Sequence, residues 1–281
     1  MAKIENLQRK ELLGKGGVAE VYDGIMVDPE TEEITEVAVK QYKTENKKWK
    51  SYKKRESRFF ADLEAYEKKV GKKMAHLPHL IAEGEDCLVL EKIKFTHQNL
   101  EFDLRNQQFK FEKKLDLILQ AIAALQEYYL VSKDVPHLDV KVRNFILSSQ
   151  EVLFLTDFDG YKIQEENTDT VFGTMEVMAP EQWGSGQSIL KTDIFSLGIL
   201  IYRILTNGKK LPLDFPDMLS PDGKYKYLSL DDMDLLAQSS VGLVELINAK
   251  LKSCLLLDPN SRPDLNDLEK FFADIQRRIK K

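Results

Sequence analysis

The hydrophobic period changes character along this chain, and that change constrains its fold more than any other feature. In the first third, ELLGKGGVAEVYDGIMV alternates around a glycine cluster, and EITEVAVKQY is β-branched and periodic. The acidic DPETEE between them reads as a hairpin loop. CLVLEKI, within Leu80–Ile93, predicts another buried strand. One interruption, residues 44–75, is rich in Lys, Arg, Glu and Ala. Its apolar residues Phe59, Phe60, Leu63 and Tyr66 fall at helical spacing, so it predicts a helix ended by His76–Pro78. Further on, Leu115, Ile118, Ile122, Leu125 and Tyr129 mark a long amphipathic helix over 113–132. The remainder reads as mostly helical, with irregular stretches at 157–190 and 206–230. Strands first and helices after predict an α+β chain in two lobes, 1–93 and 94–281, that meet near Ile93–Asn99.

Composition narrows the classes. With 43% hydrophobic and 31% charged residues the chain is an ordinary globular one, not disordered or fibrous. Lys and Arg number 41 against 46 Asp and Glu, a net charge of −5, which gives no general pull toward nucleic acid or an anionic membrane. The basic stretch Lys43–Arg58, interleaved with Trp49 and Tyr52, is diluted by Glu45 and Glu56 and reads as a solvated helix face. His76, His79 and His97 have no ligand spacing and read as surface or loop residues, and Met175 and Met178 as packing residues. Cys87 and Cys254 form no C-x-x-C pair and no disulfide framework, which fits a reducing compartment. MAKIENLQRKELLG lacks the apolar core of a signal peptide, and Ser196–Leu205, broken by Gly198 and Arg203, is too short to span a bilayer. The expectation is a cytoplasmic protein with no membrane span and no nucleic-acid partner.

Four constellations carry chemistry. Gly14-Lys15-Gly16-Gly17-Val18-Ala19 is a G-x-G-x-x-A turn followed by the alternating Glu20–Gly24. A strand after the glycines, in place of a helix, fits a loop that lies over a nucleotide as a lid, and no Gly-Lys-Ser/Thr is present for a Walker loop. Lys40 closes Val37-Ala38-Val39-Lys40 about 25 residues after the glycines, where its ammonium can act on phosphate oxygens. Such a lysine needs an acidic partner. Residues 44–75 offer Glu56, Asp62, Glu64 and Glu67, and Glu64, beside Phe60, Leu63 and Ala65, is favoured. His137–Asn144 has the spacing H-x-D-x-K-x-x-N. Asp139 can orient a hydroxyl and accept its proton, Lys141 can neutralise a phosphoryl group in transfer, and Asn144 offers a hard oxygen for Mg²⁺. Finally, the apolar Leu153–Thr156 delivers Asp157, a second ligand for magnesium bridging a triphosphate.

Taken in order, these motifs resemble the protein kinase domain of the eukaryotic (Hanks) type, Ser/Thr class, from Leu13 to about Arg262. The resemblance implies a bilobal fold with a β-rich N-lobe, one main helix in it, and a mostly helical C-lobe. Gly14, Gly16, Val21, Ala38 and Lys40 would line an ATP site. Leu90 resembles the gatekeeper, and Glu91, Lys92 and Ile93 the hinge that receives adenine. Asp139, Lys141, Lys40 and its acidic partner would be catalytic, and Asn144 and Asp157 would hold Mg²⁺ or Mn²⁺. Gly173-Thr174 and Ala179-Pro180-Glu181 resemble the end of the activation segment, Asp193–Gly198 the buried supporting helix, and Arg262 the partner of Glu181. The implied partners are ATP and a protein substrate bearing Ser or Thr.

The chain departs from the pattern at three positions. Leu138 stands where many kinases have Arg, which removes a ligand for a phosphorylated activation loop and makes switching through Thr168, Thr170 or Thr174 unexpected. Asp157-Phe158-Asp159 replaces D-F-G, leaving Gly160 as an alternative hinge and Asp159 as an added charge near the metal. Ala19 replaces the third glycine, a small perturbation. These departures motivate an alternative, a pseudokinase scaffold that binds nucleotide or a partner. A small-molecule phosphotransferase of related fold is disfavoured by residues 173–181.

Overall fold

A computed structural model describes residues 7–28, 31–166, 172–183, 188–209 and 241–279. Thr168, Thr170 and nearly all of the stretch 206–230 lie outside them. The first strands are β1 (Leu7–Lys15), β2 (Ala19–Val27) and β3 (Ile34–Tyr42). After helix α1 (Trp49–Val70) come β4 (Leu80–Glu83) and β5 (Cys87–Glu91). They form one antiparallel sheet in the order β1-β2-β3-β5-β4. Its register places Val21 opposite Lys40 and Ala38 opposite Leu90. Side chains alternate across a strand. On β3, Val37 and Val39 therefore pack on one face with Ala82, Cys87 and Val89, while Ala38 and Lys40 turn to the other.

That second face receives α1. The helix is shorter than the 44–75 its composition predicts. Lys43–Asn46 is a turn, and the helix begins at Trp49. It ends at Gly71, whose φ of 69° forms a left-handed cap with its N–H on the Glu67 carbonyl. Phe59, Phe60 and Leu63 are buried, and so are Arg55 and Glu56. The rest of the basic stretch is largely solvent-facing, as its charge pattern predicts.

The remaining described chain is mostly helical: α2 (Leu100–Asn106), α3 (Phe111–Ser132), α4 (Leu190–Leu205), α5 (Val241–Cys254) and α6 (Leu265–Ile279). A short ladder, β6 (Phe145–Leu147) with β7 (Leu153–Leu155), carries the polar loops between α3 and α4. In α3, Leu115, Ile118, Ile122 and Leu125 are fully buried, as their spacing predicts. Nearly every residue of α4 from Thr192 to Leu205 is buried, so this helix forms the axis of the helical part. The expected α+β architecture, a β-rich part with one main helix followed by a helical part, is the one observed. Among the described residues no helix is long and apolar enough to cross a membrane.

Candidate active site

A cleft of about 600 Å³ is lined by both parts of the chain. It gathers Gly14, Gly16, Val21, Ala38, Lys40, Glu91 and Ile93 from the sheet side with Asp139, Lys141, Asn144 and Asp157 from the polar loops. The β1–β2 turn closes by the Gly16 N–H donating to the Ala19 carbonyl (2.9 Å), and Lys43 Nζ donates to the Gly16 carbonyl (2.7 Å). Ala19 opens β2 buried against Tyr42, so the turn forms without a third glycine.

Lys40 lies 2.6 Å from Glu56 Oε2 and 2.8 Å from Asp157 Oδ1. The expected partner, Glu64, is corrected here: its side chain is 67% exposed and pairs with Lys68 one turn on. Helical spacing explains the difference. Glu56, Phe59, Phe60 and Leu63 follow i, i+3, i+4, i+7 and share the buried stripe, whereas Glu64 is rotated about 100° from Leu63 onto the solvent face. Two further contacts fix Glu56: the Tyr42 hydroxyl donates to Oε2 (2.5 Å), and the Phe158 N–H to Oε1 (3.4 Å). Burial alone would lower the Lys40 pKa. The carboxylates of Asp157 and Glu56 outweigh it and hold Lys40 well above the usual lysine range. Burial likewise opposes the charge on Asp157, and Lys40 reverses that, keeping Asp157 below the usual carboxylate range.

The second cluster lies on the loop between α3 and β6. Asp139 Oδ2 accepts from Lys141 Nζ (2.6 Å) and from Asn144 Nδ2 (3.2 Å), and Asn144 Nδ2 also donates to the Asp139 carbonyl (2.9 Å). Lys141 Nζ reaches on to Thr174 Oγ1 (2.7 Å). Asp139 Oδ1 is buried with no hydrogen-bond partner among the described residues. The Asp139 N–H donates to His137 Nδ1 (3.3 Å), which makes Nε2 the protonated nitrogen. Burial pushes His137 down to about 4, so the ring is neutral at pH 7.

This loop is held from beneath. Asp193, buried on α4, accepts the N–H groups of His137 (2.6 Å) and Leu138 (2.7 Å) and the Tyr129 hydroxyl (2.9 Å). Burial pushes its pKa up to about 6, against the pull of those three donors. Leu138 sits at φ 68°, in the left-handed region, with its side chain buried and its carbonyl accepting from Gln182 (3.1 Å). Glu181 meets Arg262 through two parallel bonds of 2.6 and 2.9 Å. Met178 packs in the core, whereas Met175 is exposed, contrary to the packing role its position predicts.

The D-F-D triplet resolves differently from its sequence. The left-handed residue is Asp157, at φ 71°, and Asp159 does not require that region, so aspartate there carries no backbone strain. Gly160 is needed for space: a Cβ would come within 2.4 Å of the Phe172 ring and 3.1 Å of the His137 carbonyl. Burial and the neighbouring Asp157 carboxylate push Asp159 well above the usual carboxylate range. His79 is less of a simple loop residue than its spacing suggests. Its two nitrogens lie 2.8 Å from Glu67 and 3.2 Å from Glu91.

The donor set fits a hard divalent cation shared with phosphate. Asn144 commits its nitrogen to Asp139, which leaves its oxygen, and Asp157 lies across the same cleft. Among the described residues no group of three His, Cys, Asp or Glu could hold a metal by itself. A carboxylate and an amide oxygen completed by phosphate and water is the coordination magnesium prefers in nucleotide sites.

A family model described as protein tyrosine and serine/threonine kinase matches residues 7–272. The chain is 26% identical over 226 residues to a receptor-like serine/threonine-protein kinase, ALE2, of Arabidopsis thaliana, covering 78% of this chain and 28% of that one. It is 25% identical over 171 residues to a putative mitogen-activated protein kinase kinase kinase 7-like protein of Drosophila melanogaster, covering 59% of this chain and 42% of that one. To the probable serine/threonine-protein kinase CST of Arabidopsis thaliana it is 23% identical over 294 residues, covering 97% of this chain and 68% of that one. The chain thus spans less than half the length of the first two relatives.

Proposed function

The chain belongs to the protein tyrosine and serine/threonine kinase family, and from that premise we propose that it transfers the γ-phosphate of ATP to Ser or Thr hydroxyls of protein substrates, itself among them. Residues 1–93 would form the nucleotide-binding lobe and 94–281 the lobe for catalysis and substrate. The observation that carries this reading is the division of labour in Asp139. Lys141 and Asn144 hold Oδ2, and Oδ1 is left buried without a partner among the described residues, as an acceptor for a substrate hydroxyl.

The roles follow from placement. Lys40, aligned by Glu56, holds the α and β phosphates, and the β1–β2 turn with Val21 and Ala38 covers the nucleotide. Glu91, Lys92 and Ile93 offer backbone groups to adenine. Asp139 orients the hydroxyl and receives its proton. Lys141, already bridging Asp139 and Thr174, neutralises the phosphoryl group as it crosses, and positioning with electrostatics supplies most of the rate. Asn144 and Asp157 would hold Mg²⁺ or Mn²⁺, which when bound neutralises charge on the phosphates. Lys141 and Thr174 favour a Ser/Thr acceptor over Tyr.

A second reading, a pseudokinase scaffold, is favoured by Asp159, which adds a carboxylate beside Asp157 in the cleft. Incubation with γ-labelled ATP and Mg²⁺, with and without Asp157→Ala, separates the two. Label on Ser or Thr that vanishes in the variant supports the enzyme. No label, with ATP still raising the Tm, supports the scaffold.

A further inference from the structure

Beside the catalytic loop, one buried carboxylate is shared by three guanidinium groups. Glu101, on the first turn of α2, accepts from Arg105 Nη2 (2.9 Å) and Arg203 Nη2 (2.7 Å) through Oε1, and from Arg143 Nε through Oε2. Arg143 stands two residues after Lys141 in the turn that delivers Asn144, and it lines the same cleft as Asp139 and Gly173. The cluster joins three segments, α2, the catalytic loop and α4.

Its charges do not balance. The Glu176 carboxylate also acts on Arg143. Among the described residues, three guanidiniums face the carboxylates of Glu101 and Glu176, a surplus of positive charge. The hydrogen bonds do not balance either. Arg203, with a side chain only 6% exposed, keeps its Nε buried without an acceptor among the described residues. A buried guanidinium N–H without a partner is costly, and an arriving anion removes that cost. Arg143 and Arg105 face solvent beside it, 60% and 55% exposed, and together they offer planar forks of the kind that bind carboxylate or phosphate.

We propose that Arg143, Arg105 and Arg203 form a subsite for an anionic side chain of the protein substrate, so that the chain selects acceptors flanked by an acidic or phosphorylated residue. The subsite rests on the proposed kinase activity. Arg143 lines the same cleft as Asp139 and stands four positions after it, so a peptide whose hydroxyl points at Asp139 Oδ1 runs beside Arg143. Arg143 is a specificity residue here and touches no reacting atom.

The test uses the full chain and a set of peptides with one Ser. In each peptide, Asp, phosphoserine, Ala or Arg is placed in turn at each position within five of the acceptor. The expected result is one position where Asp or phosphoserine raises kcat/KM over Ala by on the order of tenfold, through KM, and where Arg lowers it. Comparison of Asp with phosphoserine tells which anion is preferred. In Arg143→Ala the ratio of acidic to neutral peptide falls to about one, and in Arg143→Glu it inverts. Glu101 keeps Arg203 and Arg105 in both variants, so the fold survives, and the Tm verifies this. Binding of the same peptides with Ala in place of Ser, read by fluorescence anisotropy, gives the same ordering independently of transfer. Loss of transfer with the anion preference still seen in binding would refute the kinase reading and leave the subsite standing. Equal binding and turnover of acidic and neutral peptides, or an Arg143→Ala effect confined to the KM for ATP, overturns the subsite.

Discussion

The Tyr161 hydroxyl donates a 2.6 Å hydrogen bond to Asp62 Oδ2, fastening the segment after the D-F-D triplet to helix α1. Lys162 Nζ reaches the same oxygen at 3.0 Å, Arg58 pairs with Glu165 at 2.7 Å, and Arg55 Nε donates to the Asp159 carbonyl at 2.5 Å. The rings of Phe59 and Phe158 stack at 3.8 Å between centroids. The helix that carries Glu56 to Lys40 is therefore held by contacts made within the chain. In Tyr161→Phe the buried ring stays and the hydroxyl is lost. The bond to a charged acceptor is worth about 1.5–3 kcal/mol, at the low end for the partly exposed Asp62. The Tm should drop by a few degrees. In Asp62→Ala both Tyr161 and Lys162 lose their acceptor, and kcat should fall together with hydrogen-exchange protection in α1. Unaltered exchange in α1 would show that these contacts do not hold the helix.

The same contacts bear on Leu138. An aliphatic side chain buried beneath the loop gives no cation for a phosphorylated segment, and the Asp193 carboxylate holds the loop through backbone N–H groups that do not depend on the side chain at 138. The rate should stay within twofold when Thr168 and Thr170 are replaced by Ala. Phosphatase treatment followed by a rate assay checks this. A gain of tenfold or more on phosphorylation would contradict it.

The cleft residues differ in what they hold, so their variants should separate. Lys40→Met leaves Glu56 and Asp157 without their shared cation and should cut kcat/KM by about 100-fold or more. Glu56→Gln should follow it in part, and Glu64→Gln should be silent, because Glu64 faces solvent. Asp139→Asn should keep the Tm gain on adding ATP while abolishing transfer. Transfer retained in both Lys40→Met and Asp139→Asn would falsify the assignment of roles.

Lys40, Asp139, Asn144 and Asp157 were legible because each stands within or just after an apolar strand or lies in a loop of fixed spacing, where one chain order leaves little choice. Glu56 was harder. A glutamate in a basic stretch reads as a surface charge, and only counting back four from Phe60 and seven from Leu63 puts it on the buried stripe. The end of α1 at Gly71 also had its signal, a glycine after Lys68 and Lys69 in the last turn. The left-handed backbone at Leu138 had none, since leucine does not favour that region and the Asp193 carboxylate holds its N–H there, whereas Asp157 is of a type that enters it more readily. The convergence of Arg105, Arg143 and Arg203 on Glu101 was equally hidden, because it joins residues up to 102 positions apart.

His79 makes stability depend on pH. It lies between Glu67 at the end of α1 and Glu91 at the edge of the cleft. The Glu91 carboxylate 3.2 Å away, with Glu67 adding to it, raises its pKa above the usual 6.5, and burial opposes that only in part. A histidine whose folded pKa is raised contributes stability in full below its unfolded pKa. The contribution disappears as pH rises through the folded pKa. The Tm difference between the native chain and His79→Gln should therefore be largest below about pH 6 and shrink toward alkaline pH. A difference that grows with pH would reverse the sign of this assignment.

Arg262 is the most heavily committed cation among the described residues. Besides the two bonds to Glu181 it donates to the carbonyls of Leu256 and Lys191, each at 2.8 Å, and its guanidinium lies 5.1 Å from the Phe195 ring centroid. Arg262→Ala takes the guanidinium from the largely buried Glu181 carboxylate and a donor from the carbonyls of Leu256, Lys191 and Leu257. Breaking a buried pair from one side costs about 3–5 kcal/mol, which at this chain length lowers the Tm by on the order of 10 °C. Arg262→Lys keeps the charge and loses the planar fork, so it should recover only part of the loss. Joint replacement, Arg262→Met with Glu181→Leu, should recover more than either single change, because no charge is then left buried alone. An unchanged Tm in Arg262→Ala would mean that Glu181 finds water or another donor, and that the pair does not anchor residues 172–183 to the helical part.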